Sequence, residues 1–316
     1  MGNIFYFQWE VDLITWLQKA LGTAGTAAAK VASFIGGETF TLLLLIVMLF
    51  CYRKEAGKRV ARTVLTASMM FPMIKNIVLR VRPYMAHEEI DVLQVVEADA
   101  DPADIIQQGF SFPSGHSATA VSLYGSIGRE LKKKWMWTLV VLLALLIGVS
   151  RFIVGVHYPT DVLAGWAVGF AAIGVNILLE KFVRKEWTRY AILLAVSLPG
   201  IFWCTSRDYF TALGLLIAAT VAFPYEEKYI RFRDTRNPAA MILRCVGAFA
   251  IYFALNTLLK MPFSKEWLDS GELAANLVRT ARYAVILFVV LAVYPRVFPV
   301  LEKAGKKQKT IQNSEL

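Results

Sequence analysis

The sequence has few of the residues with which a soluble protein faces water. Only 18% of its 316 residues are charged, whereas about a quarter is usual for a soluble domain. Hydrophobic residues make up 57% of the chain, and they occur in blocks close to the ~20 residues that span a bilayer as a helix. We therefore exclude an ordinary soluble fold and expect a polytopic, all-α membrane protein.

Cysteine is scarce, and its three positions do not form a site. Cys51, Cys204 and Cys245 lie far apart, without the spacing of a metal centre or of a disulfide framework. Carboxylates with metal-type spacing are also absent from the motifs described below. We expect no metal ion, no cofactor and no structural disulfide. The first residues lack the patterns of a cleavable signal peptide and of N-myristoylation, so neither is expected.

The net charge of +10 does not point to a nucleic acid, because the basic residues form short clusters between apolar blocks. We predict about nine transmembrane segments, at residues 35–52, 60–81, 114–131, 135–156, 160–182, 190–204, 209–223, 239–259 and 283–301. The basic clusters follow the odd-numbered segments. The positive-inside rule then places them and the C-terminus in the cytoplasm, and a plasma or inner membrane is expected.

Three polar motifs interrupt the apolar segments. Lys75 and Arg82 lie seven residues apart near the end of the second segment, on one side of a predicted helix that Pro83 ends. An intramembrane lysine indicates a functional site, although a lysine that reaches the interface beside a carboxylate is the alternative.

The second motif is Pro113-Ser114-Gly115-His116, at the start of the third segment. A helix N-terminus presents free backbone N–H groups to an anion, and His116 lies in its first turn. The alternative is an ordinary helix start with Ser114 as its cap.

The third motif runs from Ser150 to Asp161 and joins the fourth and fifth segments. Pro159 suits the first turn of a new helix, so His157 lies just outside that helix and Asp161 is within reach of its imidazole. An aspartate that holds one ring nitrogen leaves the other to act as an acceptor or nucleophile. A polar interfacial turn with a satisfied histidine is the alternative.

All three motifs fall on the same, outer membrane face. They bring together three cations, two histidines, an aspartate and a helix N-terminus. Lysine, arginine and backbone amides recognise phosphate oxygens, and two histidines supply a nucleophile and an acid.

Read as K-x6-R-P, P-S-G-H and S-R-x5-H-x3-D, the motifs resemble the three signatures of the type 2 phosphatidic acid phosphatase superfamily. The resemblance implies that His157 forms a phosphohistidine, that Asp161 orients it and that His116 protonates the leaving oxygen. The phosphate-binding residues would be Lys75, Arg82, Ser114, Gly115 and Arg151.

The residue patterns and the resemblance together predict a domain organisation and a function. We expect an N-terminal interfacial segment (1–34), a six-helix phosphatase-type core (35–204), additional transmembrane helices (205–301) and a cytoplasmic tail (302–316). The segments after the core are weakly similar to those of sphingosine-1-phosphate phosphatases. The expected function is a metal-independent lipid phosphate or diphosphate phosphatase, with the lipid and the bilayer as its partners.

Some alternatives remain. The histidine could transfer its phosphoryl group to another lipid, or the protein could be a non-catalytic transporter or scaffold. Outside the motifs, we expect Arg207 to pair with Asp208 and His87 to be solvated.

Overall fold

The computed structural model describes residues 2–303. The α-helices in this range are α1 (Gln8–Ile35), α2 (Glu38–Val47), α3 (Lys54–Val78), α4 (Pro83–Ala86), α5 (Ile105–Gln108), α6 (Gly115–Leu131), α7 (Lys134–Ile153), α8 (Pro159–Phe182), α9 (Glu186–Ser197), α10 (Arg207–Tyr225), α11 (Pro238–Leu258), α12 (Lys265–Leu268) and α13 (Leu273–Phe288). The structure is 77% helical and forms no strand within residues 2–303, which confirms the all-α prediction.

Each of the nine predicted transmembrane segments overlaps a helix, but their number as spans is not confirmed. Among residues 2–303, five helices are long and apolar enough to cross a membrane: α7, α8, α10 counted to Ile230, α11, and α13 counted to Lys303. A sixth span is possible if α1 and α2, which meet at 44°, count as one bent span. Helix α6 has only 17 residues, and α3 begins with several charged side chains.

Helix α6 packs against α3, α7 and α8, and small residues allow the closest approach. A Cβ atom added at Gly165 of α8 would lie 2.5 Å from the carbonyl oxygen of Ser114. One added at Gly169 would lie 2.6 Å from Cβ of Val121 in α6. Glycine at these positions therefore brings α6 and α8 together, which places the starts of both helices side by side.

The C-terminal helices do not form a separate unit. Tyr209, Phe210 and Leu213 of α10 share one buried hydrophobic cluster with Leu65 and Met69 of α3. Helix α10 also packs along α13. The predicted core (35–204) and the additional helices (205–301) thus have a common interior.

The basic clusters meet at one end of the bundle. Arg62 of α3 contacts Glu180 of α8 and Glu186 of α9, and Lys58 contacts Glu227 after α10, at 2.6 Å. Because α3 runs from this end to the other, its C-terminus with Lys75 lies at the opposite end.

Helix α1 is kinked at Gly22, where φ is +54°, a value that glycine adopts without a steric penalty. Glu10 of this helix is fully buried together with Val11 and Ile14. The first half of α1 therefore packs onto the rest of the protein. Of the predicted tail 302–316, residues 304–316 lie outside the described residues.

Candidate active site

A cavity of about 320 Å³ opens at the end of the bundle opposite the basic clusters. Six of the eight predicted site residues line it, namely Lys75, Arg82, Gly115, His116, Arg151 and His157. The other two, Ser114 and Asp161, are buried. The structure therefore brings the three sequence motifs to one place.

Lys75 and Arg82 reach the cavity from different local structures. Helix α3 ends at Val78, because Leu79 adopts a left-handed conformation with φ 56°. Arg82 is consequently outside the helix, and the prediction that both residues share one helix face was wrong. Arg82 is buried and donates hydrogen bonds to the carbonyl oxygens of Gln108 at 2.7 Å and Val156 at 3.0 Å. These bonds fix the guanidinium plane and leave further N–H groups for an anion.

Arg151 lies in the last turn of α7. Its Nη1 donates a hydrogen bond to Oγ of Ser33 in α1. Its Nε is buried, and within residues 2–303 no group accepts its proton. Since a buried unpaired guanidinium N–H is costly, an oxygen of a bound anion would satisfy it.

The P-S-G-H motif forms the start of α6. Ser114 is the N-cap, and its Oγ accepts hydrogen bonds from Ser117 N at 3.4 Å and Ser117 Oγ at 2.9 Å. Its backbone N donates to the carbonyl oxygen of Asp161 at 2.9 Å, which ties α6 to α8. Gly115 and His116 then present the first turn of α6 to the cavity, where the helix dipole favours an anion.

His157 lies just before α8, and Pro159 is the first residue of that helix. Its Nδ1 is 3.5 Å from Oδ2 of Asp161, an oxygen that accepts a hydrogen bond from Tyr158 N at 2.8 Å. The arrangement leaves Nε2 of His157 as the nitrogen available to a substrate. Burial, together with Arg82, Arg151 and Lys75, holds the pKa of His157 well below its usual value, so the ring is neutral at pH 7.

Sequence reasoning missed the side chains behind Asp161. Arg80 is 1% exposed and donates to Oδ1 of Asp161 at 2.7 Å and to Oε2 of Glu10 at 2.8 Å. Its guanidinium also stacks on Tyr158, 3.9 Å from the ring centre. We call Glu10, Arg80 and Asp161 the buried charge triad. The sequence offered one signal for this triad, which is Arg80 itself, a second arginine near the end of the second apolar segment. Glu10 carries no such signal.

Two expectations outside the motifs were wrong. Arg207 pairs with Asp269 at 2.8 Å, not with Asp208. Asp208 instead lines the cavity, with Oδ2 3.6 Å from Nζ of Lys75. His87 is buried rather than solvated, because its ring packs edge-on against Tyr6 and Tyr158.

Comparison with known protein families agrees with this geometry. The profile of the PAP2 superfamily matches residues 59–185, which include all three motifs. A second profile, the transmembrane extension of PAP2 superfamily phosphatases, matches residues 210–306. The chain belongs to the PAP2 superfamily. The predicted family and its phosphatase class are thereby confirmed.

Three relatives illustrate the range of PAP2 proteins to which the chain is similar. Phosphatidylglycerophosphatase B of Bacillus subtilis is 29% identical over 169 residues, which are 48% of this chain and 75% of that protein. Undecaprenyl-diphosphatase of Sulfolobus acidocaldarius is 30% identical over 141 residues, 45% of this chain and 62% of that protein. A lipid A 4'-phosphatase of Bacteroides thetaiotaomicron is 36% identical over 61 residues, 19% of this chain and 27% of that protein. No solved structure matches the chain significantly.

Proposed function

We propose that this PAP2 protein removes the terminal phosphoryl group from a lipid phosphate through a phosphohistidine at His157. One observation carries the proposal: three cations and two histidines line a single cavity whose remaining wall is largely apolar. The polar end suits a phosphoryl group, and the apolar wall suits a hydrocarbon chain.

In the first step, Nε2 of His157 attacks phosphorus, and the bond from phosphorus to the ester oxygen breaks. His116 donates a proton to that oxygen, so that the lipid leaves as an alcohol. The histidine ring becomes positively charged, and Asp161, 3.5 Å from Nδ1, stabilises that charge. In the second step, His116 takes a proton from water, whose oxygen attacks phosphorus; the bond from phosphorus to Nε2 of His157 breaks, and inorganic phosphate and neutral His157 are released.

Lys75, Arg82 and Arg151 would neutralise the charge on the phosphoryl oxygens in both transition states. Fixed cations in a site shielded from water stabilise such charge strongly. The backbone N–H groups at the start of α6 add to them. We therefore propose catalysis without a divalent metal ion.

The apolar wall supports a lipid rather than a free soluble ester. Helices α2, α10, α11 and α13 and the turn after α13 contribute it, with Leu42, Leu45, Ile46, Leu215, Phe253, Leu287 and Val290 among the lining residues. A tail lying there would place its phosphate beside Lys75. Phosphatidylglycerol phosphate, phosphatidic acid, a polyprenyl diphosphate and a sphingoid-base phosphate are the candidate substrates.

The proposed topology follows from charge. The basic clusters would lie in the cytoplasm together with the C-terminus, and the cavity, at the other end of the bundle, would then face the outer leaflet. Cysteine labelling with an impermeant reagent at Asp99 and at Lys132, each replaced by cysteine, tests this topology.

Purified protein in detergent tests the activity, with release of phosphate from a panel of the candidate lipids as the measurement. His157→Ala is expected to abolish release, and a radioactive phosphoryl group should be trapped on wild type as an acid-labile, base-stable adduct. His87→Gln is the matched control, since this histidine lies outside the lining of the cavity. Equal release by wild type and His157→Ala from every lipid would refute the proposal.

A further inference from the structure

The phosphate-binding cavity contains a carboxylate that the proposed chemistry does not use. We propose that Asp208 makes the site discriminate against diphosphates, so that lipid monophosphates are the preferred substrate class. This inference rests on the proposed function. It assigns a specificity-determining role to a residue of the first turn of α10, outside the three motifs.

Asp208 is available to the cavity because its neighbour is paired elsewhere. Arg207 contacts Oδ1 of Asp269 at 2.8 Å and donates to the carbonyl oxygen of the same residue at 3.1 Å. Asp208 therefore points its charge at Lys75, with 3.6 Å between Oδ2 and Nζ. Its side chain is 42% exposed, as expected for a group that faces an open cavity.

The net charge of the cavity lining limits how many negative charges of a substrate it can neutralise. Among the lining residues within 2–303, Lys75, Arg82 and Arg151 are cationic, and Glu38 and Asp208 are acidic. With His157 neutral, His116 carrying the proton that it donates to the leaving oxygen and both acids ionised, the excess is two positive charges. A phosphate monoester carries about two negative charges at pH 7, which three cations can bind even with Asp208 beside Lys75. A diphosphate carries one more negative charge.

Within residues 2–303, the cavity lining offers no fourth lysine or arginine to the additional charge of a diphosphate. When the terminal phosphoryl group occupies the cations, the second phosphate must extend toward the rest of the lining. That part contains Glu38 of α2 and the neutral polar side chains Tyr252, Asn256 and Tyr283. Asp208 adds repulsion from the side of Lys75. Such repulsion between like charges across a partly solvated gap changes binding by about tenfold.

The test compares a lipid monophosphate with the diphosphate of the same alcohol, farnesyl phosphate and farnesyl diphosphate in detergent micelles. The measurement is kcat/KM for each with wild type and with Asp208→Asn. A diphosphate has the better leaving group, but this intrinsic difference cancels when the diphosphate-to-monophosphate ratio is compared between variants. The ratio is expected to rise about tenfold in Asp208→Asn.

Two further variants separate specificity from general damage. Asp208→Glu keeps the charge and should keep the wild-type ratio. Asp99→Asn removes an exposed carboxylate that pairs with Lys265 at 3.4 Å, outside the cavity lining, and should also leave the ratio unchanged. If Asp208→Asn loses all activity, Thr211→Asp replaces it as the test. Thr211 lines the cavity one turn further along α10, and an added carboxylate there should lower the ratio.

A ratio that does not change in Asp208→Asn, or that falls, overturns the inference, and so does an unchanged ratio in Thr211→Asp where that variant is needed. Such results leave the proposed function intact as long as wild type releases phosphate and His157→Ala does not. If wild type releases phosphate from neither compound, and from no other lipid of the panel, the proposed function itself fails.

Discussion

Replacing Arg80 by methionine is expected to impair both stability and catalysis. Arg80 bridges two carboxylates of the buried charge triad, with N–O distances of 2.8 Å to Glu10 and 2.7 Å to Asp161. The exposed fractions are 1% for Arg80 and 0% for both acids. Methionine replaces the aliphatic part of the arginine side chain, so it keeps that part of the packing and removes the charged guanidinium. The two acids are then buried without their common partner.

The size of both effects follows from burial. Breaking a buried ion pair by removing one partner costs about 3–5 kcal/mol, so the thermal midpoint should fall by several degrees. Asp161 also loses a charge-assisted hydrogen bond that holds it beside His157. Such a bond contributes about 1.5–3 kcal/mol, which corresponds to a decrease in kcat of about 10- to 150-fold. KM should change little, because Arg80 does not line the cavity.

The assay combines thermal unfolding in detergent with steady-state hydrolysis of the best lipid of the panel. Glu10→Gln should show the same kcat defect in weaker form, since Arg80 keeps its bond to Asp161. Arg59→Met is the matched control. It removes a bidentate contact with Glu130 at the opposite end of the bundle, where Arg59 is 33% exposed, and should cost about 1 kcal/mol or less.

If Arg80 positions Asp161 for catalysis, Arg80→Met must lower kcat as well as the thermal midpoint. If Arg80→Met lowers the thermal midpoint but leaves kcat at the wild-type value, the triad is only structural. If Arg80→Met matches Arg59→Met in both measurements, the reasoning from burial is refuted as well.

Three further predictions concern pH, metal ions and packing. Burial holds the pKa of His157 well below its usual value, so the ring stays neutral as the pH falls through 6.5. The acidic limb of the kcat/KM profile should therefore lie below pH 6.5. An acidic limb above pH 6.5 contradicts this prediction. Activity should persist in EDTA, whereas loss that magnesium restores would contradict catalysis by Lys75, Arg82 and Arg151. Gly165→Ala should lower the thermal midpoint and kcat, since its Cβ would lie 2.5 Å from a backbone oxygen. Gly174→Ala is the control and should be tolerated, because the space around Gly174 is open. Equal effects of the two substitutions would contradict the packing argument.

The additional helices and the three motifs line the same cavity. The three motifs lie in the segment matched by the PAP2 profile, but α10, α11 and α13 supply part of the cavity wall. Asp208 precedes the matched extension by two residues. Under the proposed function, the extension would influence which lipid binds, and the motifs would act on the phosphoryl group that the candidate substrates share.

Several features could be predicted from the sequence because they depend on local patterns. Apolar blocks of bilayer length predicted helices, and the order of the segments predicted that the three motifs share one end. Pro159 predicted a helix start that leaves His157 outside the helix, and α8 begins there. The exception is Arg82, since the left-handed conformation of Leu79 that ends α3 early has no local signature.

The sequence by itself determined the helical class and the polar groups that meet at one end of the bundle, because the periodic rise of a helix and the thickness of a bilayer fix where segment ends lie. Only the tertiary structure decided which charges pair there: Arg80 with Glu10 and Asp161, and Asp208 with Lys75. Partners so far apart in the chain are selected by the packing of helices, and a buried charge takes whichever opposite charge the packing brings within reach.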